Sequence, residues 1–203
     1  MDLLVIRHGQ SEADILGVYE GRADFGLTEL GHRQAALMAE WVSNYIAIDR
    51  IYSSSLKRAR QTAEKLSAAA NCPLEADERL MEWNNGLIAG LPRDEANKKY
   101  PPPEKRYLHT SLYGQESTIE FRARAETVLS EIINENPASM KIAVVAHGGM
   151  IDMLFQSFLE LPIGADIGIM SGDTAVHHWR IDDRSFRRKN LVFVNSLVHL
   201  EEV

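Results

Sequence analysis

Short apolar runs alternate along this chain with longer segments whose apolar residues recur every three or four positions. Residues 3–6 and 142–146 are continuous apolar runs, which are typical of strands buried on both faces of a sheet. Residues 28–45, which start at the potential cap Thr28, and residues 117–137 show the spacing of amphipathic helices. This alternation predicts an α/β fold with a mainly parallel central sheet, helices on both faces and an antiparallel edge strand.

Shorter segments complete the predicted sheet. Residues 50–53 form a candidate second strand, and Ser54-Ser55 offer caps for the helix that follows. Residues 174–181, rich in Val, Trp and Ile, predict a strand, and the turn-forming residues 182–185 would join it as a hairpin to residues 191–198.

Composition and charge narrow the class of protein. The 203 residues and the 45% hydrophobic content suit one domain spanning residues 1–203. The net charge of −7 argues against nucleic-acid binding, which needs a broad basic face. Because no apolar stretch reaches membrane-spanning length and the N-terminus does not resemble a signal peptide, we expect a cytoplasmic protein with no membrane partner.

Both continuous apolar runs lead directly into a histidine. The first opens onto Arg7-His8-Gly9 and the other onto His147-Gly148-Gly149. Ligands bind at the carboxyl edge of open α/β sheets, so the two imidazoles are expected to meet across one site. A lone histidine at a strand end is usually structural, but Arg7 adds a planar cation suited to an anion such as phosphate. The pattern therefore indicates phosphoryl chemistry with a histidine at its centre.

Two further candidates lie outside these strands. Arg58 is near the start of the helix after the second strand, where backbone amides favour anions; its neighbours Lys57 and Arg60 cannot all point inward with it. Glu82 opens an irregular segment, residues 80–113, that we interpret as an active-site cover containing one short helix. A partly enclosed carboxyl there could donate a proton, although the local pattern alone favours a surface glutamate.

Metal ligation is not expected from the paired histidines near the C-terminus. His177 and His178 are adjacent in a predicted strand, so their side chains point to opposite faces and cannot hold one ion together. No metal site is predicted.

The ordered motifs resemble the histidine phosphatase superfamily, which includes cofactor-dependent phosphoglycerate mutases and many small phosphatases. The resemblance runs nearly end to end. It is carried by Arg7-His8-Gly9-Gln10-Ser11, Gly21-Arg22-Ala23-Asp24, Leu27-Thr28-Glu29-Leu30-Gly31, the run from Ser54 to Ala63, Leu80-Met81-Glu82, Gly114-Gln115-Glu116-Ser117, and Val145-Ala146-His147-Gly148-Gly149.

This resemblance implies a phosphoglycerate mutase-like fold and a metal-independent phosphatase, without a cofactor, that acts on small phosphomonoesters. By the same resemblance, His8 attacks phosphorus and forms a phosphohistidine, while Glu82 protonates the departing alcohol and later activates water. The phosphoryl oxygens would be held by Arg7, Arg58 and His147, and the remaining substrate-binding candidates are Ser11, Gly148 and Arg22. Arg22 would contact the substrate beyond its phosphate; a surface salt bridge accounts for it equally well.

Several positions depart from the family pattern. Asp14 stands where many members have asparagine, and an ionised carboxylate would repel phosphate unless it turns away. Asn84 and Ile88-Ala89 are also unusual in the acid segment.

Two other functions stay open. A phosphoglycerate mutase is the main alternative, although mutases typically carry arginine and tyrosine after the catalytic glutamate, where this chain has Trp83 and Asn84. A regulatory module that binds phosphorylated partners is the other, although such a module should lack a catalytic side chain. A protein substrate is compatible with all of these residues.

Overall fold

A six-stranded sheet forms the centre of the computed structural model, which describes residues 1–182 and 188–201. Its strands are β1 (Asp2–Arg7), β2 (Arg50–Ser54), β3 (Leu74–Asp77), β4 (Lys141–Ala146), β5 (Val176–Asp182) and β6 (Arg188–Ser196), in the spatial order β3-β2-β4-β1-β5-β6. The first four strands are parallel, whereas β5 runs antiparallel to β1 and to β6. The predicted mainly parallel sheet with an antiparallel edge is therefore confirmed.

Helices cover both faces of this sheet. They are α1 (Glu12–Leu16), α2 (Glu29–Tyr45), α3 (Lys57–Ala70), α4 (Arg93–Lys99), α5 (Thr118–Glu135) and α6 (Gly148–Phe158), with 3-10 turns at Glu78–Leu80, Gly86–Ile88 and Val198–Leu200. Buried side chains of α5 and α6 form one core, and those of α2 and α3 form the other.

Strand β1 shows why its sequence is continuously apolar. Leu3 and Val5 enter the core beneath α5 and α6, while Leu4 and Ile6 enter the core beneath α2 and α3. All four side chains are buried, and each contributes about 1.5–3 kcal/mol of hydrophobic stabilisation relative to exposure. A strand with both faces covered needs apolar residues at every position. The polar residues Arg7 and His8 therefore lie at the end of the strand, at the edge of the sheet.

Side-chain caps explain where α2 and α5 begin. Thr28 accepts a hydrogen bond from the Gly31 amide and caps α2 as predicted, and Ser117 forms a reciprocal capping box with Glu120 at the start of α5. The predicted Ser54-Ser55 cap of α3 is wrong, because the N-cap of that helix is Leu56. Ser54 belongs to the end of β2 and turns its hydroxyl towards His147 instead.

The hairpin prediction is tested only in part. Strands β5 and β6 pair antiparallel, with Ile181 opposite Lys189, and their bounds differ from the predicted ones by at most three residues. Residues 183–185 of the predicted turn lie outside the described residues. None of the helices in the described ranges has both the length and the apolar character needed to cross a bilayer.

Candidate active site

The two predicted histidines meet at the carboxyl edge of the sheet. Strands β1 and β4 pair in parallel with Arg7 opposite Ala146, so the next residue of each strand, His8 and His147, emerges at the same edge. Their ring centroids lie 5.0 Å apart with planes inclined at 59°. Both rings are buried, and the arrangement that the strand pattern predicted is present.

Hydrogen bonds define the chemical state of His8. Its Nδ1 lies 2.7 Å from the Gly9 carbonyl oxygen, which can only accept a hydrogen bond. The Arg58 Nε–H donates to Nε2 of the same ring over 3.2 Å, so Nε2 carries the lone pair. Burial, together with the charges of Arg58 and Arg7, holds the pKa of His8 well below its usual range. His8 is therefore a neutral imidazole with an unprotonated Nε2 near pH 7.

Arg58 is a fully buried cation with each arm bonded. Its terminal nitrogens donate to the carbonyl oxygens of Gly21, over 2.8 Å, and Ala23, over 3.1 Å. Its Nε also lies 3.2 Å from the Glu20 carboxylate. Among the basic neighbours on α3, Lys57 and Arg60 keep exposed side chains, as the helix geometry predicted. The buried guanidinium is thus held rigidly beside the unprotonated Nε2 of His8.

Arg7 and His147 each keep a nitrogen without a partner. Arg7 donates to the Ser171 carbonyl over 2.6 Å and lies 3.3 Å from the Asp173 carboxylate, but its buried Nε has no partner. His147 Nε2 lies 2.8 Å from the Ser54 hydroxyl, while its buried Nδ1 is unpaired. Burial and nearby Arg58 lower the pKa of His147 well below its usual range, so this ring is also neutral. A ligand that reaches this edge of the sheet could therefore bond to these two nitrogens.

Backbone amides hold the Glu82 carboxylate in place. The Trp83 amide donates to Oε1 over 2.8 Å, and the Gly149 amide donates to Oε2 over 2.9 Å. Gly149 lies in the first turn of α6, so this contact joins the acid segment to the second histidine motif. A Cβ atom at Gly149 would lie 2.6 Å from Glu82 Oε1, so glycine at this position leaves room for the carboxylate. The Glu82 carboxylate is therefore partly buried and held in place by two backbone amides, one of them in the second histidine motif.

The other predicted substrate contacts have different surroundings. Arg22 donates to the Glu82 carbonyl over 3.3 Å and lies 3.7 Å from the Glu116 carboxylate, so its observed partners are protein groups. Ser11 is buried and is the N-cap of α1, and its amide and hydroxyl both donate to Asp14, the third residue of that helix. Gly148 is the first residue of α6, where the amide has no acceptor within the helix. The Asp14 carboxylate is thus bonded locally to Ser11.

A cavity of about 390 Å³ adjoins Glu82. Residues of the 80–113 segment form much of its lining, and that segment contains the short helix α4. Its aromatic lining residues are Tyr19, Trp83, Tyr100, Tyr113 and Phe121. The Arg106 guanidinium lies 4.2 Å from the centroid of the Trp83 ring. The cavity can hold an organic group of small-molecule size next to the fixed carboxylate.

Glu20 is a site residue that the sequence did not reveal. Its Oε2 contacts Arg58, and its buried Oε1 has no hydrogen-bond partner. Burial raises the pKa of this carboxyl, while the charge of Arg58 opposes the rise. Glu20 lies in a loop without periodicity, so only its position directly before the Gly21-Arg22 motif could have drawn attention to it.

Among the described residues, no group of three or more His, Cys, Asp or Glu side chains is placed to hold a metal ion. His177 and His178 have separate partners: His177 contacts Ser171, and His178 contacts Asp2. The predicted opposite orientation of these two side chains is therefore observed.

The family follows from comparison with known proteins. The profile of the histidine phosphatase superfamily (branch 1) matches residues 3–193. The chain therefore belongs to this superfamily, which confirms the family predicted from its motifs. The prediction of a phosphoric monoester hydrolase is confirmed at the level of enzyme class by relatives named as phosphatases.

Three curated relatives show the range of named activities around this chain. It is 32% identical to phosphoserine phosphatase 1 of Hydrogenobacter thermophilus, over 98% of this chain and 94% of that protein. It is 37% identical to a probable phosphatase of Schizosaccharomyces pombe over 77% of this chain, but the match spans only 56% of that protein. It is 31% identical to a probable phosphoglycerate mutase of Yersinia pestis, over 82% of this chain and 78% of that protein.

A solved structure of another protein has a similar fold. Mycobacterial glucosyl-3-phosphoglycerate phosphatase in complex with VO3 superimposes with a TM-score of 0.82 at 27% identity. The match covers 96% of this chain and 99% of that one.

Proposed function

We propose that this protein is a metal-independent phosphatase that hydrolyses small phosphomonoesters through a phosphohistidine on His8. The observation that carries the proposal is the state of the His8 ring, whose Nδ1 is bonded to the Gly9 carbonyl and whose Nε2 lone pair lies beside Arg58. A neutral imidazole with an oriented lone pair is a competent nucleophile at phosphorus.

In the first step, His8 Nε2 attacks phosphorus and the bond from phosphorus to the alcohol oxygen breaks. The Arg58 Nε–H, which donates to His8 Nε2 in the free enzyme, donates instead to a phosphoryl oxygen. This change of acceptor frees the Nε2 lone pair for attack. The unpaired nitrogens of Arg7 and His147 bond to the remaining phosphoryl oxygens. These contacts stabilise the charge that is redistributed over the oxygens in the transition state.

We assign both proton transfers to Glu82. In its protonated form this carboxyl donates a proton to the departing alcohol oxygen, so the alcohol leaves neutral. In the second step the resulting carboxylate accepts a proton from water, whose oxygen attacks phosphorus as the bond to Nε2 breaks. Inorganic phosphate leaves, and both His8 and Glu82 return to their starting states.

The remaining predicted contacts complete the phosphate site. The Gly148 amide, at the start of α6, is suited to donate to a phosphoryl oxygen, and the Ser11 hydroxyl can exchange its bond with Asp14 for one to the substrate. Arg22 donates to the Glu82 carbonyl and would contact the substrate beyond its phosphate.

A small-molecule alcohol suits the leaving-group side of the site. The cavity beside Glu82 measures about 390 Å³, which fits the organic part of a sugar phosphate, a phosphoglycerate or a nucleotide-derived ester. Relatives named for phosphoserine and for glucosyl-3-phosphoglycerate support the same size class. We place this reaction in the cytoplasm, without a nucleic-acid or membrane partner.

The direct test is turnover with a panel of metabolite phosphoesters and with p-nitrophenyl phosphate. We expect release of inorganic phosphate by the wild type and loss of release in His8→Ala. The isosteric variant His8→Asn serves as a second inactive form if the alanine variant does not fold. Retained phosphate release in either folded variant would refute the mechanism.

Mutase activity is the second candidate because of the relative named as a probable phosphoglycerate mutase. A mutase must return its phosphoryl group to a phosphoglycerate instead of to water. Incubation with 3-phosphoglycerate separates the two functions. The proposal predicts free phosphate, and interconversion of 2- and 3-phosphoglycerate without phosphate release would favour the mutase.

A further inference from the structure

The Glu20 carboxylate competes for the same arm of Arg58 that faces His8. Arg58 Nε lies 3.2 Å from Glu20 Oε2 and donates to His8 Nε2 over 3.2 Å. The other arms of this guanidinium are bonded to the carbonyl oxygens of Gly21 and Ala23. A phosphoryl oxygen that takes the Arg58 Nε–H must therefore approach the Glu20 carboxylate.

The second oxygen of Glu20 is placed for a different contact. Oε1 is buried and has no hydrogen-bond partner, and Glu20 lines the cavity next to Glu82 and Gly149. An ionised oxygen in this position would repel a phosphate dianion. A protonated carboxyl has an O–H that can donate to one of the phosphate oxygens.

We propose that Glu20 makes anion binding at His8 proton-dependent: each bound dianion is accompanied by one proton, which passes from solvent to Glu20. In the free enzyme the ionised carboxylate pairs with Arg58 and acts as an internal competitor. In the complex the neutral carboxyl no longer pairs with Arg58 Nε, which then donates to the anion. The carboxyl O–H also donates to the anion. This inference rests on the proposed function, which places a phosphoryl group between Arg58 and His8.

The charges around Glu20 support this direction of proton transfer. Arg58 from α3 and the Ser11 hydroxyl favour the ionised carboxylate, whereas burial, Asp14 from α1 and Glu82 favour the neutral form. Burial is the largest of these influences and raises the pKa of Glu20. His8, at the end of β1, is neutral and adds no charge of its own. A bound dianion adds further negative charge, which raises the pKa of Glu20 again.

The test uses sulfate, which is a dianion throughout the working pH range and cannot be turned over. Calorimetric titration of the wild-type protein in buffers of different ionisation enthalpy counts the protons taken up. We expect uptake of about one proton per sulfate near neutral pH, and a sulfate Kd that rises at least about tenfold between about pH 5.5 and pH 8. Competitive inhibition of p-nitrophenyl phosphate hydrolysis by sulfate locates the binding.

Two matched variants assign the effect to Glu20. Glu20→Gln keeps the size and supplies a permanent donor, so its sulfate Kd should change less than about twofold over the same range and should be at least about tenfold lower than that of the wild type near pH 8. Asp14→Asn removes a neighbouring carboxylate but keeps an oxygen that can accept from Ser11, the N-cap of α1. It should retain most of the pH dependence.

The inference would be overturned if sulfate bound without proton uptake, or if Glu20→Gln kept the full pH dependence. Either result would leave the proposed function intact, because hydrolysis and its dependence on His8 are measured separately. Loss of the pH dependence in Asp14→Asn instead would assign the proton to that residue and contradict the role of Glu20.

Discussion

The Gly149 amide donates a hydrogen bond to Glu82 Oε2 over 2.9 Å, and this contact links two motifs that are far apart in the sequence. A Cβ atom at position 149 would lie 2.6 Å from Glu82 Oε1, too close for the carboxylate to keep its place. The acid is therefore positioned by the absence of a side chain on α6.

Gly149→Ala tests this relationship. We expect kcat/KM for alkyl phosphates to fall by about tenfold to a hundredfold, because the displaced carboxyl no longer reaches the alcohol oxygen. Steady-state kinetics measure the fall, and thermal unfolding shows whether the variant is folded. Unchanged kinetics in a folded variant would show that Glu82 does not depend on this contact.

The role of Glu82 as a proton donor predicts a dependence on the leaving group. In Glu82→Gln, kcat/KM should fall by about a hundredfold or more for alkyl phosphates but much less for p-nitrophenyl phosphate, whose phenolate leaves without protonation. The measurement compares both substrates in the wild type, in this variant and in the control Glu75→Gln, which changes an exposed side chain on β3. An equal loss for both substrates would contradict proton donation to the alcohol.

Arg58→Lys tests the buried guanidinium. A lysine ammonium cannot reproduce the planar fork that bonds Gly21, Ala23 and His8. We expect kcat/KM to fall by about a hundredfold or more and the free energy of unfolding to fall by about 1–3 kcal/mol. The matched control is Arg60→Lys on the same helix, because the Arg60 side chain is exposed and pairs with Glu64 on the same helix. Similar kinetics for both variants would remove Arg58 from the phosphate site.

Buried histidines predict a loss of stability in mild acid. Burial lowers the pKa of His177 to about 4, whereas the unfolded chain takes up this proton near the ordinary value of 6.5. Between these two values the unfolded state binds more protons than the folded state. The free energy of unfolding therefore falls as pH falls through this window. The His177 contribution is at most about 3 kcal/mol, and His8, His147 and His199 act in the same direction.

Urea unfolding at several pH values between about 7 and 4 measures this dependence. His177→Asn should show a shallower slope of stability against pH than the wild type. The control His109→Asn, at an exposed histidine, should keep the wild-type slope. Equal slopes for both variants would show that His177 is not the source of the effect.

Much of the fold was predictable because its strands and helices have strong periodic patterns. The meeting of His8 and His147 followed from two apolar runs and from the rule that parallel strands share a carboxyl edge. The α2 cap at Thr28 and the end of α5 before Asn136-Pro137 followed from local side-chain chemistry. The cap and the helix end depend on neighbours in sequence, and the meeting of the two histidines depends on a general rule of parallel sheets, so these features can be predicted from the sequence.

Other features depend on contacts between distant segments and were missed. The five-residue helix α1 was not predicted, since it is too short to show a periodic pattern. Ser54 resembles a helix cap but bonds His147, which is 93 residues away. Glu20 enters the site only because its loop folds over Arg58. The family motifs predicted the place of Glu82, but its fixation by Gly149 required the packing of α6.

The most direct measurement of the central claim is to trap the covalent intermediate in Glu82→Gln with p-nitrophenyl phosphate. This variant should form the phosphoenzyme with a good leaving group and hydrolyse it slowly, because the base that activates water is missing. Rapid quenching at alkaline pH followed by peptide mass spectrometry should locate one phosphoryl group on His8, labile to acid and absent from the His8→Ala, Glu82→Gln double variant. Release of p-nitrophenol without any label on His8, or with the label on another residue, would contradict the account.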